Sequence, residues 1–258
     1  MSSLLIREND GVVVLTLNRP EVKNAIDDAL MSELDTAVNL LSQREDLVAV
    51  VVTGAGSDAF CAGGDLKWLQ AFDTPEKGQE MSRRMQDILH RLSGLAAPII
   101  AVLNGYAFGG GTEIALAADM RILESHAFLC FKQAQVGVMT GWGGGGRLLN
   151  LVGYGRAFEL LTTCPKVGPA DALAMGLANR EAESGKGLVA AQEICEQLRR
   201  ASATSVRTTK ALLRRAAGTD LTTAANIEAE LFGDVWMSEE HQEALTAFSQ
   251  KRRPSFRS

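Results

Sequence analysis

An α/β fold wound around a parallel sheet is what this sequence predicts, and three observations predict it. Leu47–Thr53 and Pro98–Leu103 are continuous apolar runs, the pattern of strands covered on both faces. Helical periods separate and follow them. Strand and helix alternate in a rhythm that implies crossover connections and parallel pairing. From Gly143 onward the pattern is helical almost to the end.

Taken in order, Gly11–Leu17 alternates loosely and predicts an edge or hairpin strand. Ala25–Leu41 carries apolar residues at 26, 30, 34, 37, 38 and 41, a helical period. Thr74–Leu95 reads as a helix, with Thr74 placed to cap it and Pro75 in the first turn. Ile114–Ala118 reads as the first turns of another helix, and Ala127–Phe131 as a short strand. Residues 186–217 and 221–248 are helix-rich, with breaks near Ser202 and Ser238. No tandem repeat or low-complexity linker divides the 258 residues.

Composition bounds the class. An apolar content of 46% and a charged content of 22% are ordinary for a globular protein with a sizeable core. The net charge of −5 and the lack of a long basic run argue against nucleic acid as a partner. Cysteines at 61, 130, 164 and 195 show no zinc-ligand spacing and predict reduced thiols. Met1–Arg7 lacks the basic-then-apolar pattern of a secretory signal, and no apolar run reaches membrane-spanning length. These features predict a cytoplasmic protein with no membrane partner.

The chemistry is concentrated in two loops. Gly105-Tyr-Ala-Phe-Gly-Gly-Gly-Thr-Glu113 joins a buried strand to a helix start. Consecutive glycines there leave backbone N–H groups bare of side chains, at a helix end that favours negative charge. Glu113 falls just inside that helix. Donors for a developing oxyanion beside one acid/base group form a catalytic pattern. Standing alone, Glu113 reads as a carboxylate that merely offsets the helix dipole. The second loop, Gly54-Ala-Gly-Ser-Asp-Ala-Phe-Cys-Ala-Gly-Gly-Asp-Leu66, also runs from a strand toward a helix. An oxyanion hole needs two donors from separate segments, and Gly64 and Gly110 are the candidates. Gly54–Ala59 fits the dinucleotide fingerprint G-x-G-x-x-A, but Gly63-Gly64 follow within one turn, where a helix should already run. Gly143-Gly-Gly-Gly-Arg147 lacks the Lys-Ser/Thr of a P-loop. His90, His126 and His241 sit in no triad or metal spacing.

Both loops, in this order, resemble the crotonase superfamily, also called the enoyl-CoA hydratase/isomerase family. The likeness starts at Asn18-Arg-Pro-Glu-Val-Lys-Asn-Ala25 and continues through Phe60–Asp65, Pro98–Glu113 and Ala118-Asp-Met-Arg-Ile122. It ends in Glu243–Phe256, so it spans more than two hundred residues in register. The resemblance implies repeated ββα turns wound as a spiral over residues 1–200. It also implies a helical trimerisation region over 201–258, within a homotrimer or a hexamer of paired trimers. It implies an acyl-CoA substrate, with coenzyme A as carrier rather than a tightly held cofactor, and no metal. Gly64 and Gly110 would donate to the thioester oxygen, and Glu113 would be the first catalytic glutamate. Ala25, Ala62, Asp65 and Leu66 would meet coenzyme A. Thr140 and Trp142 would shape the acyl pocket, although Trp142 could also be plain core packing. Phe248 and Lys251 would reach coenzyme A across a subunit boundary, Lys251 being otherwise a solvated end.

One departure stands out. Hydratases of this family place a second glutamate in a phrase like Phe-x-Gln-Pro-Glu-x-x-x-Gly, where this chain has Phe131-Lys-Gln-Ala-Gln-Val-Gly137. The expectation is that Gln135 takes that place. A glutamine amide orients water but cannot take its proton. Decarboxylases of the family can carry a neutral residue there, because losing CO₂ makes the enolate without a base. Gly141-Trp-Gly-Gly resembles the loop of the ethylmalonyl-CoA decarboxylase branch, as do Thr74-Pro-Glu-Lys-Gly78 and Val235-Trp236. The expected reaction is therefore decarboxylation of a malonyl-type thioester or double-bond isomerisation. Hydration by Glu113 alone, and a non-catalytic acyl-CoA- or RNA-binding role, are the alternatives.

Overall fold

The computed structural model describes residues 2–256. Strand β1 (Leu4–Asn9) and strand β2 (Val12–Leu17) form an antiparallel hairpin through Asp10 and Gly11, both at positive φ. Helix α1 (Asp28–Ser42) starts three residues later than the apolar period suggests, because the Asp27 carboxylate accepts from the Leu30 N–H and fixes the cap. Strand β3 (Ala49–Gly54) is followed by the short β4 (Ala59–Cys61), the one-turn α2 (Leu66–Leu69) and the long α3 (Pro75–Gly94), capped by Thr74 as expected.

The same unit then repeats. Strands β5 (Ile99–Leu103) and β6 (Tyr106–Phe108) lead into α4 (Gly110–Leu116). Strands β7 (Met120–Glu124) and β8 (Leu129–Cys130) lead through a loop holding a 3-10 turn (Ala134–Val136) into α5 (Gly144–Thr163), which is kinked at Gly153. The remaining elements are α6 (Pro169–Ala174), β9 (Arg180–Ala182) and α7 (Gly187–Arg200), then α8 (Ala203–Ala216), α9 (Leu221–Trp236) and α10 (Glu239–Ser249).

In each repeat the first strand joins a large sheet and the second joins a small one. The large sheet runs β1-β2-β3-β5-β7-β9, parallel except for the β1–β2 hairpin. The small sheet runs β4-β6-β8, all parallel. This is the ββα spiral, closed by a C-terminal helical region.

Burial on both faces explains the continuous apolar runs. Val50, Val52, Ile99 and Ala101 face the main core with Leu34, Phe60, Leu89 and Phe131. Ala49, Val51, Ile100 and Val102 face the other way, against Ala191, Ile194 and Cys195 of α7. Helices α8 and α9 bury no residue fully, and α10 buries only Ala247. Lys210 of α8 ties this region to the core, pairing with Asp119 at 2.7 Å and donating to the Ala97 carbonyl at 2.8 Å.

Candidate active site

The two glycine loops meet where the spiral brings β4 beside β6. Gly63 (φ 94°) and Gly109 (φ 51°) hold left-handed backbone that lets each strand turn directly into a helix start. The loops touch: a Cβ placed on Gly63 would stand 3.1 Å from the Gly110 nitrogen. Ile26 pins the first loop by donating to the Gly63 carbonyl (2.8 Å) and accepting from the Asp65 N–H (2.8 Å). Those bonds face one side of the loop, and the intervening Gly64 N–H takes no part in them. The Gly110 N–H, first in α4, has no carbonyl one turn back within the helix.

Glu113 lies one turn into α4 and is 2% exposed. Its Oε2 accepts from the N–H of Trp142 at 2.7 Å and of Gly144 at 2.8 Å. Its Oε1 accepts from the N–H of Gly141 at 3.2 Å and from Nε2 of Gln133 at 3.1 Å. One oxygen is held tightly and the other loosely. Burial raises the carboxyl pKa above its ordinary value, and the hydrogen bonds from Gly144, Trp142, Gly141 and Gln133 work against that rise.

The turn that grips Glu113 is itself held from outside. Ser82 and Gln86 of α3 both donate to the Gly141 carbonyl. In a trans peptide the N–H points opposite to the C=O, so anchoring that carbonyl on α3 aims the Trp142 N–H at Glu113. The Arg147 guanidinium of α5 donates to the Trp142 carbonyl at 3.2 Å, and burial lowers its pKa. A Cβ on Gly144 would lie 2.5 Å from Cγ of Glu113, so only glycine admits this approach.

The expected site residues divide into three groups. Gly110, Glu113 and Trp142 meet, Thr140 precedes them in the turn that carries Trp142, and Gly64 follows Gly63, which touches Gly110. The Trp142 indole, 5% exposed, lies against Gly110, where an added Cβ would stand 2.2 Å from the ring. Thr140 is half-buried at the start of the same turn, its hydroxyl packed against Gly145. Ala25, Ala62 and Asp65 frame the first loop. The Asp65 carboxylate is occupied structurally, capping α2 through the Lys67 N–H and pairing with Arg19 at 3.0 Å. Leu66 (75% exposed), Phe248 (86%) and Lys251 project from the surface of the chain.

Gln135 requires a correction. It stands exposed on a 3-10 turn over Ala134–Val136, and the glutamine that reaches Glu113 is Gln133. The reason is the turn that follows β8. Phe131 and Gln133 are buried and Lys132 is exposed where the chain leaves that strand, and Gln133, in the right-handed helical region, opens the 3-10 turn that carries Gln135 to the surface. Counting from Phe131 with the family phrase misplaces the position by two residues. Counting back from Gly137 along the Glu-x-x-x-Gly end of the phrase reaches Gln133, and that was the signal available in the sequence. Ser82 and Gln86 carried no signal, since both lie on the polar side of an ordinary amphipathic helix.

A profile of the family described as Enoyl-CoA hydratase/isomerase matches residues 7–258. This chain belongs to that family. Within the enoyl-CoA hydratase/isomerase family it is 32% identical to a short-chain-enoyl-CoA hydratase of Clostridium acetobutylicum, over 98% of this chain and 97% of that one. It is 33% identical to an ethylmalonyl-CoA decarboxylase of Xenopus laevis, over 90% of this chain and 78% of that one. The crystal structure of an enoyl-CoA hydratase from Bacillus anthracis superposes with a TM-score of 0.93 at 31% identity, covering 98% of each chain. Family membership therefore rests on both sequence and fold across nearly the whole chain. No helix among the described residues is long and apolar enough to cross a membrane.

Proposed function

We propose that this protein is an enzyme that works on acyl-CoA thioesters through a thioester enolate. The Gly64 and Gly110 N–H groups would donate to the thioester oxygen as it gains negative charge. Each such preorganised donor in a dry site is worth about 3 kcal/mol of barrier. Glu113 would carry the proton, with Oε1, its loosely held oxygen, as the reactive one. Trp142 and Thr140 would wall the acyl group, and coenzyme A would enter as part of the substrate.

The observation that carries the finer reading is that every group bonded to Glu113 is an amide: three from the backbone and one from Gln133. Syn hydration by two carboxylates needs a second acid/base group at that place, and an amide cannot serve. We therefore favour decarboxylation of a malonyl-type thioester. The C–CO₂ bond breaks, its electron pair forms the enolate, CO₂ leaves, and a proton from Glu113 closes the α-carbon. Double-bond migration fits the same residues, Glu113 taking an α-proton and returning it at the γ-carbon. Hydration using Glu113 alone is the second reading. It is favoured by the hydratase relative that matches this chain from end to end.

Crotonyl-CoA, methylmalonyl-CoA and ethylmalonyl-CoA offered to the purified protein, with products read by mass spectrometry, separate these readings. CO₂ loss from a malonyl-type thioester, abolished by Glu113→Gln, is the expected result. Fast hydration of crotonyl-CoA that is lost in Glu113→Gln would establish the second reading. Hydration that survives that change would remove Glu113 from its role. Tight thioester binding with no turnover would make this a binding protein.

We also infer a homotrimer or a pair of trimers. Apolar side chains stand exposed on α9 and α10, including Leu221 (90%), Trp236 (52%) and Phe248 (86%), with Tyr154 (74%) and Phe158 (58%) on α5. So many large apolar groups on one chain mark surfaces that another copy covers. Light scattering of the purified protein checks this, with a monomer at micromolar concentration as the refuting result.

A further inference from the structure

Gln133 is the one buried polar side chain of the site with an unused atom. It is 6% exposed, its Nε2 donates to Glu113 Oε1 at 3.1 Å, and its Oε1 is buried with no hydrogen-bond partner among the described residues. Buried amide oxygens are almost always paired, so this one points to a group that meets it during function.

Glu113 makes the amide's orientation consequential. Its Oε2 is fixed by backbone donors at 2.7 and 2.8 Å, whereas Oε1 is held only at 3.1 and 3.2 Å. A proton arriving on Glu113 therefore lands on Oε1. There it faces the Gln133 NH₂, donor against donor. A half-turn of the amide about its terminal torsion removes the conflict, because the two ends are nearly the same size and the torsion is roughly two-fold.

We propose that Gln133 is a protonation-coupled positioning residue, whose amide turns over when Glu113 gains a proton, so that its free atom is a carbonyl when Glu113 is ionised and an NH₂ when Glu113 is protonated. This rests on the reading of Glu113 as the proton-carrying group. The exchange balances without a co-reactant. Glu113 takes one proton, the Nε2–H···Oε1 bond is replaced by an O–H···Oε1 bond, and Gln133 stays neutral throughout. With Glu113 ionised, the free carbonyl accepts from a water or a hydroxyl. With Glu113 protonated, the free NH₂ donates to a carboxylate. A malonyl-type thioester is thus received by the same state that holds the proton its enolate carbon needs.

Other groups facing Glu113 leave this coupling intact. Arg147 of α5 is the cation nearest by charge, and it binds the Trp142 carbonyl. Ser82 and Gln86 of α3 are neutral and bind Gly141. Cys61 of β4 packs behind Gly111, and burial pushes its thiol up to about 12, so it stays neutral. Lys132 turns outward, its ammonium 5.0 Å from the centre of the Phe108 ring.

The test follows the amide directly. With ¹⁵N-glutamine labelling, the Gln133 NH₂ signals are assigned by their loss in Gln133→Met, a substitution of similar volume. They are expected to shift across the same pH interval as the limb of kcat that Glu113 governs, which for a proton-donating Glu113 is the fall with rising pH, and that shift is expected to vanish in Glu113→Gln. Signals that stay still through that limb, or that move equally in Glu113→Gln, would overturn the coupling. In kinetics, Gln133→Met is expected to lower kcat about tenfold and to move the limb of kcat that Glu113 governs, with little change in KM. An unaltered pH profile would count against the proposal, since a merely structural residue would leave it unmoved. Gln133→Glu is expected to raise the upper apparent pKa of the pair by about a unit or more, through like charge. If no thioester is turned over, the catalytic reading fails, while the NMR titration still decides the behaviour of the amide.

Discussion

Glu113 and Glu124 are built almost alike, yet only one of them sits in a candidate site. Both are buried, at 2% and 4% exposure. Both accept backbone N–H groups from a glycine-rich helix start, Glu113 from Trp142 and Gly144 at α5 and Glu124 from Gly185 (2.7 Å) and Gly187 (3.0 Å) at α7. At both places a Cβ on the receiving glycine would collide: at Gly144 with Glu113 itself, and at Gly187 with a Val102 methyl 2.6 Å away. A carboxylate gripped by amides at a helix start is thus a fastener in this fold; Glu240, which accepts from the Ala203 and Thr204 N–H groups at the start of α8, is another. What sets Glu113 apart is its surroundings. It has a second, loosely held oxygen on the Gln133 amide, and it shares a short helix with Gly110, beside the loop that carries Gly64. Glu124 ends a strand against α7, and its ionisable neighbour among the described residues is His126, at 3.9 Å. The chemistry resides in the neighbours, not in the grip.

The largest expected effect breaks this pair apart. Glu113→Gln should lower kcat on the best thioester by about 10²–10⁴-fold, as expected for loss of a proton-transfer group. Glu124→Gln should leave kcat within about twofold while lowering stability by about 1–3 kcal/mol, read by denaturant melts. Equal losses of turnover would erase the distinction. Next comes the glycine at each helix start. Gly110→Ala drives its methyl into the Trp142 ring and should remove most turnover. Gly187→Ala meets Val102 and should cost stability alone, by about 1–3 kcal/mol. In Trp142→Ala the Gly110→Ala methyl has room, so the double variant should recover melting temperature relative to Gly110→Ala.

A smaller effect concerns pH. Burial raises the Glu113 pKa in the folded state, so the native protein binds its proton more tightly than the unfolded chain does. The contribution of Glu113 to stability is then fully present below the unfolded carboxylate value and is lost as pH rises through the raised folded value. The stability difference between wild type and Glu113→Gln should therefore shift against wild type with rising pH, across the interval just above the ordinary glutamate range. Denaturant melts at a series of pH values check this, and a difference that grows in favour of wild type would contradict it. The smallest expected change is Ser82→Ala. Gln86 still holds the Gly141 carbonyl, so kcat should fall only a few-fold, about 1 kcal/mol, with KM unmoved.

Much of this was legible in the chain. The runs around Val50–Val52 and Ile99–Leu103 announce strands buried on both faces, because side chains alternate between two apolar environments. Thr74-Pro75 announces a helix start through its capping chemistry. The glycine loops and Glu113 suggest a candidate site only together with the family likeness, because a carboxylate at a helix start can serve structure alone. Strands β4 and β6 stayed hidden, since each is three residues long and exists only because the neighbouring turn of the spiral supplies its partner. Strand β9 was equally silent inside a helical stretch, for it is a sheet edge defined by pairing with β7.

By itself, the sequence determined local things: where the long helices and the doubly buried strands lie, that Thr74 caps, and which residue types gather in the two loops. Tertiary structure decided which of them meet. Whether Gln133 or Gln135 reaches Glu113 depends on how the turn after β8 is set once β8 is seated on β6. Whether the Trp142 N–H faces Glu113 depends on two side chains of α3, distant in sequence, pulling the Gly141 carbonyl the other way. Local preference is written in neighbouring residues, but a hydrogen bond between distant ones has no direction until packing supplies it.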